Sequence, residues 1–404
     1  MGCWRITWEQ RKLGEVVNRV KSYALSRNVE STDYTGYKYI HYGDIHTKVA
    51  HIIDESSNLP NIKIGNYELL KNGDLVLADA SEDYKGIASP AVITINVTYK
   101  LVSGLHTIAL RPRKADSLFL FYLFNSPTFK RYGYKVGTGM KVFGISATNL
   151  LKYYGVFPSN IEQRKIGKFL KQLDDIIALH QRKLDLLKLL KKGFMQVMFP
   201  QKEENVPKLR FLDFDSEWEK LNVMDLSEKS FGGGTPKTST NAYWNGEIPW
   251  IQSSDFREHQ VSGVIANKKI TDEGLKNSPA KLIPKNSIAV VTRVGVGKVA
   301  LIPFEYTTSQ DFLSLSYLKV DKWFGVYSLY NQLQKELNAV QGTSIKGITK
   351  NEVLEKKINK PKDLIEQKKI GHFLKQLDKS IALCQIKLRR LQSFKKAYLQ
   401  KMFI

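Results

Sequence analysis

The chain is built on a duplication. The 39-residue run IEQRKIGKFLKQLDDIIALHQRKLDLLKLLKKGFMQVMF, which starts at Ile161, returns from Ile365 as IEQKKIGHFLKQLDKSIALCQIKLRRLQSFKKAYLQKMF. The offset is 204 residues, no gap is needed and 24 positions are identical. Chance does not give that, so the chain repeats a structural unit. In the first copy Ile166, Leu173, His180, Leu187 and Phe194 recur every seven residues, interleaved with Leu170, Ile177 and Leu184. The second copy carries Ile370, Leu377, Cys384, Leu391 and Tyr398, interleaved with Leu374, Ile381 and Leu388. This a/d seam predicts two long helices, neither of which can bury it alone, so each is expected to pack on the other as a coiled coil. Lys165, Lys168, Lys171 and Lys188 are assigned to the outer face. His180 and Cys384 occupy equivalent seam positions and are read as core filler rather than a metal or redox pair.

The segments between the helices resemble each other weakly. Trp8-Glu9 opens one and Trp218-Glu219 the other. Helical stretches (Ser117 to Tyr132, Lys322 to Val340) lead to glycine turns, Gly137-Thr138-Gly139 and Gly342-Thr343-Ser344. Gly144-Ile145-Ser146 and Gly347-Ile348-Thr349 follow, then Pro158 and Pro361, then the repeated helix. The expected organisation is module 1–158, helix 159–202, module 203–360, helix 361–404. That order brings each helix back past the other, so antiparallel helices and an elongated, pseudo-two-fold (cyclic) arrangement are expected. Each module reads as mixed α/β (α+β). Strand candidates are Leu75 to Leu77, Val92 to Ile95 and His106 to Leu110 in the first, and Ile288 to Thr292, Val299 to Ile302 and Leu313 to Lys319 in the second. Strand order stays open.

Charge points to the partner. The 404 residues carry 62 basic and 39 acidic side chains, a net +23. Residues 1–157 hold +7, 158–202 +6, 203–360 +2 and 361–404 +8, so more than half the excess lies in the two helical segments. A field of that size suits a polyanion, most often nucleic acid. Two cysteines, Cys3 and Cys384, exclude a disulfide framework and a Cys-rich zinc site, and the seven histidines show no metal-ligand spacing. No apolar run approaches the ~20 residues of a membrane span, and no signal peptide opens the chain. Met1-Gly2-Cys3 has Ile6 where a myristoylation motif needs Ser or Thr. A cytoplasmic protein without a membrane partner is expected.

The sequence carries no complete catalytic motif of the common DNA-acting enzymes. Val294-Gly295-Val296-Gly297-Lys298-Val299 has Thr292 where a phosphate loop needs its first glycine and Val299 where it needs Ser/Thr; it reads as a strand-to-strand turn. There is no Rossmann glycine pattern, no Asn/Asp-Pro-Pro-aromatic motif of an adenine methyltransferase, and no paired acid to make Glu355-Lys356-Lys357 a nuclease centre. Binding chemistry remains, because Lys and Arg neutralise phosphates while Arg, Asn, Gln and Ser reach base edges. The DNA-binding candidates are Arg111, Arg113, Lys135, Thr138 and Lys141 in the first module. In the second they are Lys237, Arg257, Arg293, Lys298, Thr343 and Lys346. No metal ligand and no catalytic residue is assigned.

At this point the whole chain resembles the specificity subunits of Type I restriction–modification systems. The two Ile-Glu-Gln-[Arg/Lys]-Lys-Ile-Gly blocks, each after a proline, are similar to that family's conserved spacer regions. Pro207-Lys208-Leu209-Arg210-Phe211…Trp218-Glu219, Gly233-Gly234-Thr235-Pro236, Tyr243-Trp244, Ile248-Pro249-Trp250 and Gly342-Thr343-Ser344…Gly347-Ile348-Thr349 are similar to its target recognition domains. No Pro-Lys-Leu-Arg-Phe copy precedes Trp8. The resemblance implies a non-catalytic subunit with two target recognition domains, each reading half of a split, asymmetric double-stranded DNA site. It implies two docked methyltransferase subunits and a restriction/translocase subunit, with S-adenosylmethionine, ATP and Mg used by those partners and no cofactor on this chain. The rivals are a stand-alone DNA-acting enzyme and a coiled-coil scaffold without sequence-specific binding.

Overall fold

The computed structural model describes residues 8–83, 86–139, 142–201, 204–339 and 347–403. The chain forms two compact units, one of residues 1–181 with 387–404 and one of residues 182–386.

In the first unit, β1 (Glu9–Lys12) pairs antiparallel with β7 (Tyr154–Phe157), closing the module on itself. The main sheet contains β2 (Val17–Val20), β3 (Ile52–Ile53), β4 (Leu75–Ala78), β5 (Pro90–Ile93) and β6 (Thr107–Pro112), in the order β2-β6-β4-β5-β3. Leu75, Leu77, Val92, Ile108 and Leu110 send their side chains into a core shared with α1 (Ser117–Asn125) and α2 (Pro127–Val136). The expected single helix from Ser117 to Tyr132 is two helices. Pro127 cannot supply the backbone N–H that continuation requires, and it sits at the first turn of α2, where it is tolerated. Ser126 caps that turn by accepting from the Phe129 N–H at 3.2 Å. A short α3 (Ala147–Leu151) leads through β7 to the long α4 (Asn160–Val197).

The second unit repeats the plan. β8 (Glu219–Asn222) pairs with β14 (Lys357–Lys360). β9 (Ser227–Gly232), β11 (Ser287–Val291), β12 (Val299–Ile302) and β13 (Phe312–Leu318) form an antiparallel sheet in the order β9-β13-β11-β12, the counterpart of β2-β6-β4-β5. The turn 292–298 joins β11 to β12, the strand-to-strand turn read from the sequence, with Gly295 and Gly297 in the positive-φ region it needs. α5 (Lys322–Ala339) covers the sheet, and a short α6 (Lys350–Glu355) precedes the long α7 (Leu364–Met402). The modules differ in their second sheets. The first has a four-stranded sheet through Tyr37–Ile40 and Lys100–Ser103. The second has β10 (Trp244–Ile251) between Lys268–Ile270 and Thr307–Thr308.

Each unit holds parts of both long helices, and within each unit their residue numbers run in opposite senses. In the first, the Phe169 and Tyr398 rings lie 5.1 Å apart and Lys395 pairs with Asp174 at 2.5 Å. In the second, Phe194 lies 4.8 Å from Phe373 and Lys191 pairs with Asp378 at 2.6 Å. The helices are therefore antiparallel. Ile166, Leu170, Leu173, Leu184, Ile370, Leu374, Cys384 and Leu388 are buried, while Ile177, His180, Leu377 and Ile381 are half-buried.

The duplicated motif has a physical explanation. Gln163 accepts from the Asp116 N–H (2.9 Å) and donates to the Pro158 carbonyl (2.8 Å); Gln367 does the same with Asp321 (3.0 Å) and Pro361 (2.9 Å). A Cβ on Gly167 would lie 2.9 Å from the Phe119 nitrogen, and one on Gly371 2.6 Å from the Phe324 nitrogen, so only glycine lets helix and module approach so closely. Tyr122 donates to Asp174 at 2.9 Å and Tyr327 to Asp378 at 2.7 Å, joining the Lys395 and Lys191 ion pairs. Burial beside a carboxylate pushes both phenols well above the usual tyrosine range. The Phe403 ring lies tilted 5.2 Å from Phe119, and its repeat partner Phe199 stacks 5.8 Å from Phe324.

The outer helix faces are less uniformly charged than expected. Ile176, Leu179, Leu186 and Leu190 on α4 are 43, 65, 52 and 50% exposed, and Leu383 and Phe394 on α7 are 57 and 58% exposed.

Candidate nucleic-acid interface

The first unit brings Arg111 and Arg113 to one cleft of about 440 Å³, lined also by Lys71, Lys114 and Arg164. Arg111 is held in place by Asp74. Its guanidinium donates to both Asp74 oxygens (2.9 and 2.7 Å) and to the Leu69 carbonyl (3.1 Å). The Asp74 hydrogen bonds raise its pKa against the burial that would lower it. A fork-to-carboxylate pair anchored on a buried Asp74 is a structural tie, and of the two arginines Arg113 is the more exposed. Lys135 is exposed in the last turn of α2. Thr138 is exposed and bonded to Gly144 through its backbone N–H (3.0 Å) and carbonyl (2.8 Å). Lys141 lies outside the described residues.

In the second unit Lys237 and Arg257 are exposed. Lys237 also accepts from the Trp244 indole N–H through its carbonyl, at 3.2 Å. Arg257 and Lys298 share a cleft of about 250 Å³ with His259 and the Gly295–Gly297 turn, and Lys298 donates to the Phe256 carbonyl at 3.2 Å. Arg293 is exposed on the turn after β11. Thr343 and Lys346 lie outside the described residues.

Two groupings were missed from the sequence. Lys350 is half-buried, and Arg293 and Lys281 lower its pKa after burial does. In the first unit the Tyr42 ring is surrounded by His41, His46 and His106 at centroid distances of 4.5, 5.9 and 5.3 Å. His106 also meets Asp79 at 3.2 Å, and burial raises the Asp79 pKa. His41, Tyr42 and His46 are near neighbours in sequence, but Asp79 and His106 are brought to them only by the fold. Among the described residues no group of three or more His, Cys, Asp or Glu is placed to hold a metal. No described helix is long and apolar enough to cross a membrane.

Comparison with known proteins agrees with this architecture. The sequence model of the Type I restriction modification DNA specificity domain matches residues 5–189 and again 215–392. The putative type I restriction enzyme MjaX specificity subunit of Methanocaldococcus jannaschii is 25% identical over 96% of this chain and 90% of its own length. The EcoR124I/EcoR124II specificity subunit of Escherichia coli is 39% identical over 108 residues, 26% of each protein. Among solved structures, the Type I restriction-modification S subunit from M. genitalium superposes with a TM-score of 0.62 at 13% identity, over 100% of this chain and 97% of that one. Two matched domains, two repeated helices and two modules of common sheet topology place the chain in the Type I restriction–modification DNA specificity family, as a non-catalytic, target-selecting subunit.

Proposed function

We propose that each module reads one half of a split, asymmetric double-stranded DNA target, and that the two long helices set the gap between the halves. The observation that carries this reading is the pair of modules with one main-sheet topology and different second sheets: a common frame with divergent surfaces suits two independent sequence readers. The helices also serve as the platform for two methyltransferase subunits. Their exposed Ile176, Leu179, Leu186, Leu190, Leu383 and Phe394 form apolar patches of the kind that mark protein interfaces. Restriction/translocase subunits join the same complex. S-adenosylmethionine, ATP and Mg belong to the partners, and the assembly works in the cytoplasm, where its DNA is.

Duplex binding by the full chain, followed against salt, tests this. Neutralising 6–10 phosphates should lower affinity about 10³–10⁵-fold between 50 and 200 mM salt. Replacing a base-edge candidate such as Lys237 or Arg257 should relax preference in one half-sequence only. Absence of duplex binding at low salt, or one substitution altering both halves equally, contradicts the reading.

A further inference from the structure

We infer that Lys281, Arg293 and Lys350 of the second module form a seat for one phosphodiester of the DNA backbone. The inference rests on the DNA-reading role proposed above and names a place where the second unit grips.

The seat is built around the glycine run Gly232-Gly233-Gly234. Gly233 must be glycine because a Cβ there would collide with the Thr308 and Ser309 backbone, and Gly234 because one would lie 2.4 Å from the Pro279 backbone. The second contact brings the segment carrying Lys281 against the run, and the Ile283–Tyr306 backbone bond (2.7 Å) holds that segment. At Gly232 the neighbour is different: a Cβ would meet the Lys350 ammonium itself, so the missing side chain leaves room for that cation. Arg293 arrives from a third direction. It follows Thr292, whose carbonyl accepts from the Ile348 N–H at 2.8 Å, two residues before Lys350.

Among the described residues none of the three cations is in an ion pair. Lys350 is half-buried, and its pKa is lowered first by burial and then by Arg293 and Lys281, with Asp311 opposing. An anion beside Gly232 would offset the repulsion that Lys350 feels from Arg293 and Lys281.

The first module shows what the corner looks like without the seat. Its Ile145 N–H donates to the Asp79 carbonyl at 2.8 Å, matching Ile348 and Thr292. By that register Arg293 corresponds to Ala80 and Lys350 to Ala147. Among the described residues that corner holds Asp79 paired with His106. The two modules therefore share a backbone frame and carry different described side chains at this place.

The test is the salt dependence of full-chain binding to a 40-base-pair duplex of arbitrary sequence. One neutralised phosphate contributes about 0.9 to the slope of log K against log salt. Lys350→Gln should remove part of that 0.9. The triple change of Lys281, Arg293 and Lys350 to Gln should remove about 0.9 and not three times as much, because the cations share one phosphate. Lys350→Arg should keep the slope. Gly232→Ala, which removes no charge, should lower it by displacing the Lys350 ammonium. Exposed Lys281→Gln gives a variant with no burial to disturb. If wild type binds and both Lys350→Gln and Gly232→Ala leave its slope intact, the seat is overturned. It is equally overturned if these variants keep the slope but lose a protein partner. If wild type binds no duplex at all, the DNA-reading role fails first.

Discussion

Replacing Arg210 with alanine should destabilise the second unit by about 3–5 kcal/mol, the usual cost of leaving one member of a buried ion pair behind. Arg210 comes from the opening segment of the second module, ahead of β8, and reaches Glu366 on α7 with two parallel hydrogen bonds, 2.7 and 2.8 Å. The Trp218 indole N–H donates to the same carboxylate at 3.4 Å. Their side chains are only 10 and 1% exposed, so water cannot compensate the charge that remains. Urea unfolding followed through tryptophan fluorescence reads the effect. The double variant Arg210→Met, Glu366→Gln should recover much of the loss, because neither charge is orphaned. The first unit supplies the control. Glu162 is the repeat partner of Glu366, is half-buried, and has no cation paired with it among the described residues. Glu162→Gln should change stability by less than about 1 kcal/mol, as exposed or weakly paired carboxylates do. An Arg210→Ala loss no larger than that of Glu162→Gln contradicts the assignment.

A heptad inserted in each long helix should lengthen the gap in the recognised DNA sequence by up to about three base pairs, while both half-sequences stay the same. Placed between Gln181 and Arg182 and between Ile386 and Lys387, the insertions fall on the boundaries between the two units. Every contact described within a unit is then retained. Seven residues keep the a/d seam in phase and add ~10 Å of helix, against ~3.4 Å per base pair. Five residues would turn the seam through about 150° and should abolish assembly. Sites mapped by adenine methylation in the reconstituted complex give the answer. Altered half-sequences with an unchanged gap would falsify the ruler.

What the sequence made legible was whatever repeats with a period. The heptads placed every seam residue from Ile166 to Leu388 in a buried or half-buried position, because a stripe at that spacing has one way to leave water. Apolar runs such as Leu75–Leu77 and Val299–Ile302 located sheet strands, but their order was hidden, since each can pair with any neighbour until the turns choose. The outer leucines escaped notice because lysines are interleaved with them. Arg111 looked like a DNA contact, and nothing local revealed that Asp74, 37 residues away, holds it. Lys350 escaped for the converse reason: only the fold places it over Gly232 and beside Arg293. Helix cores are written in local spacing, whereas binding corners are assembled from distant turns.

Exchanging residues 219–360 for the corresponding module of another family member, then mapping methylated adenines genome-wide in a host carrying the full complex, tests the central claim most directly. The account predicts a bipartite target in which one half-sequence is replaced while the other half and the gap persist. A continuous target, or a change in both halves at once, would contradict it.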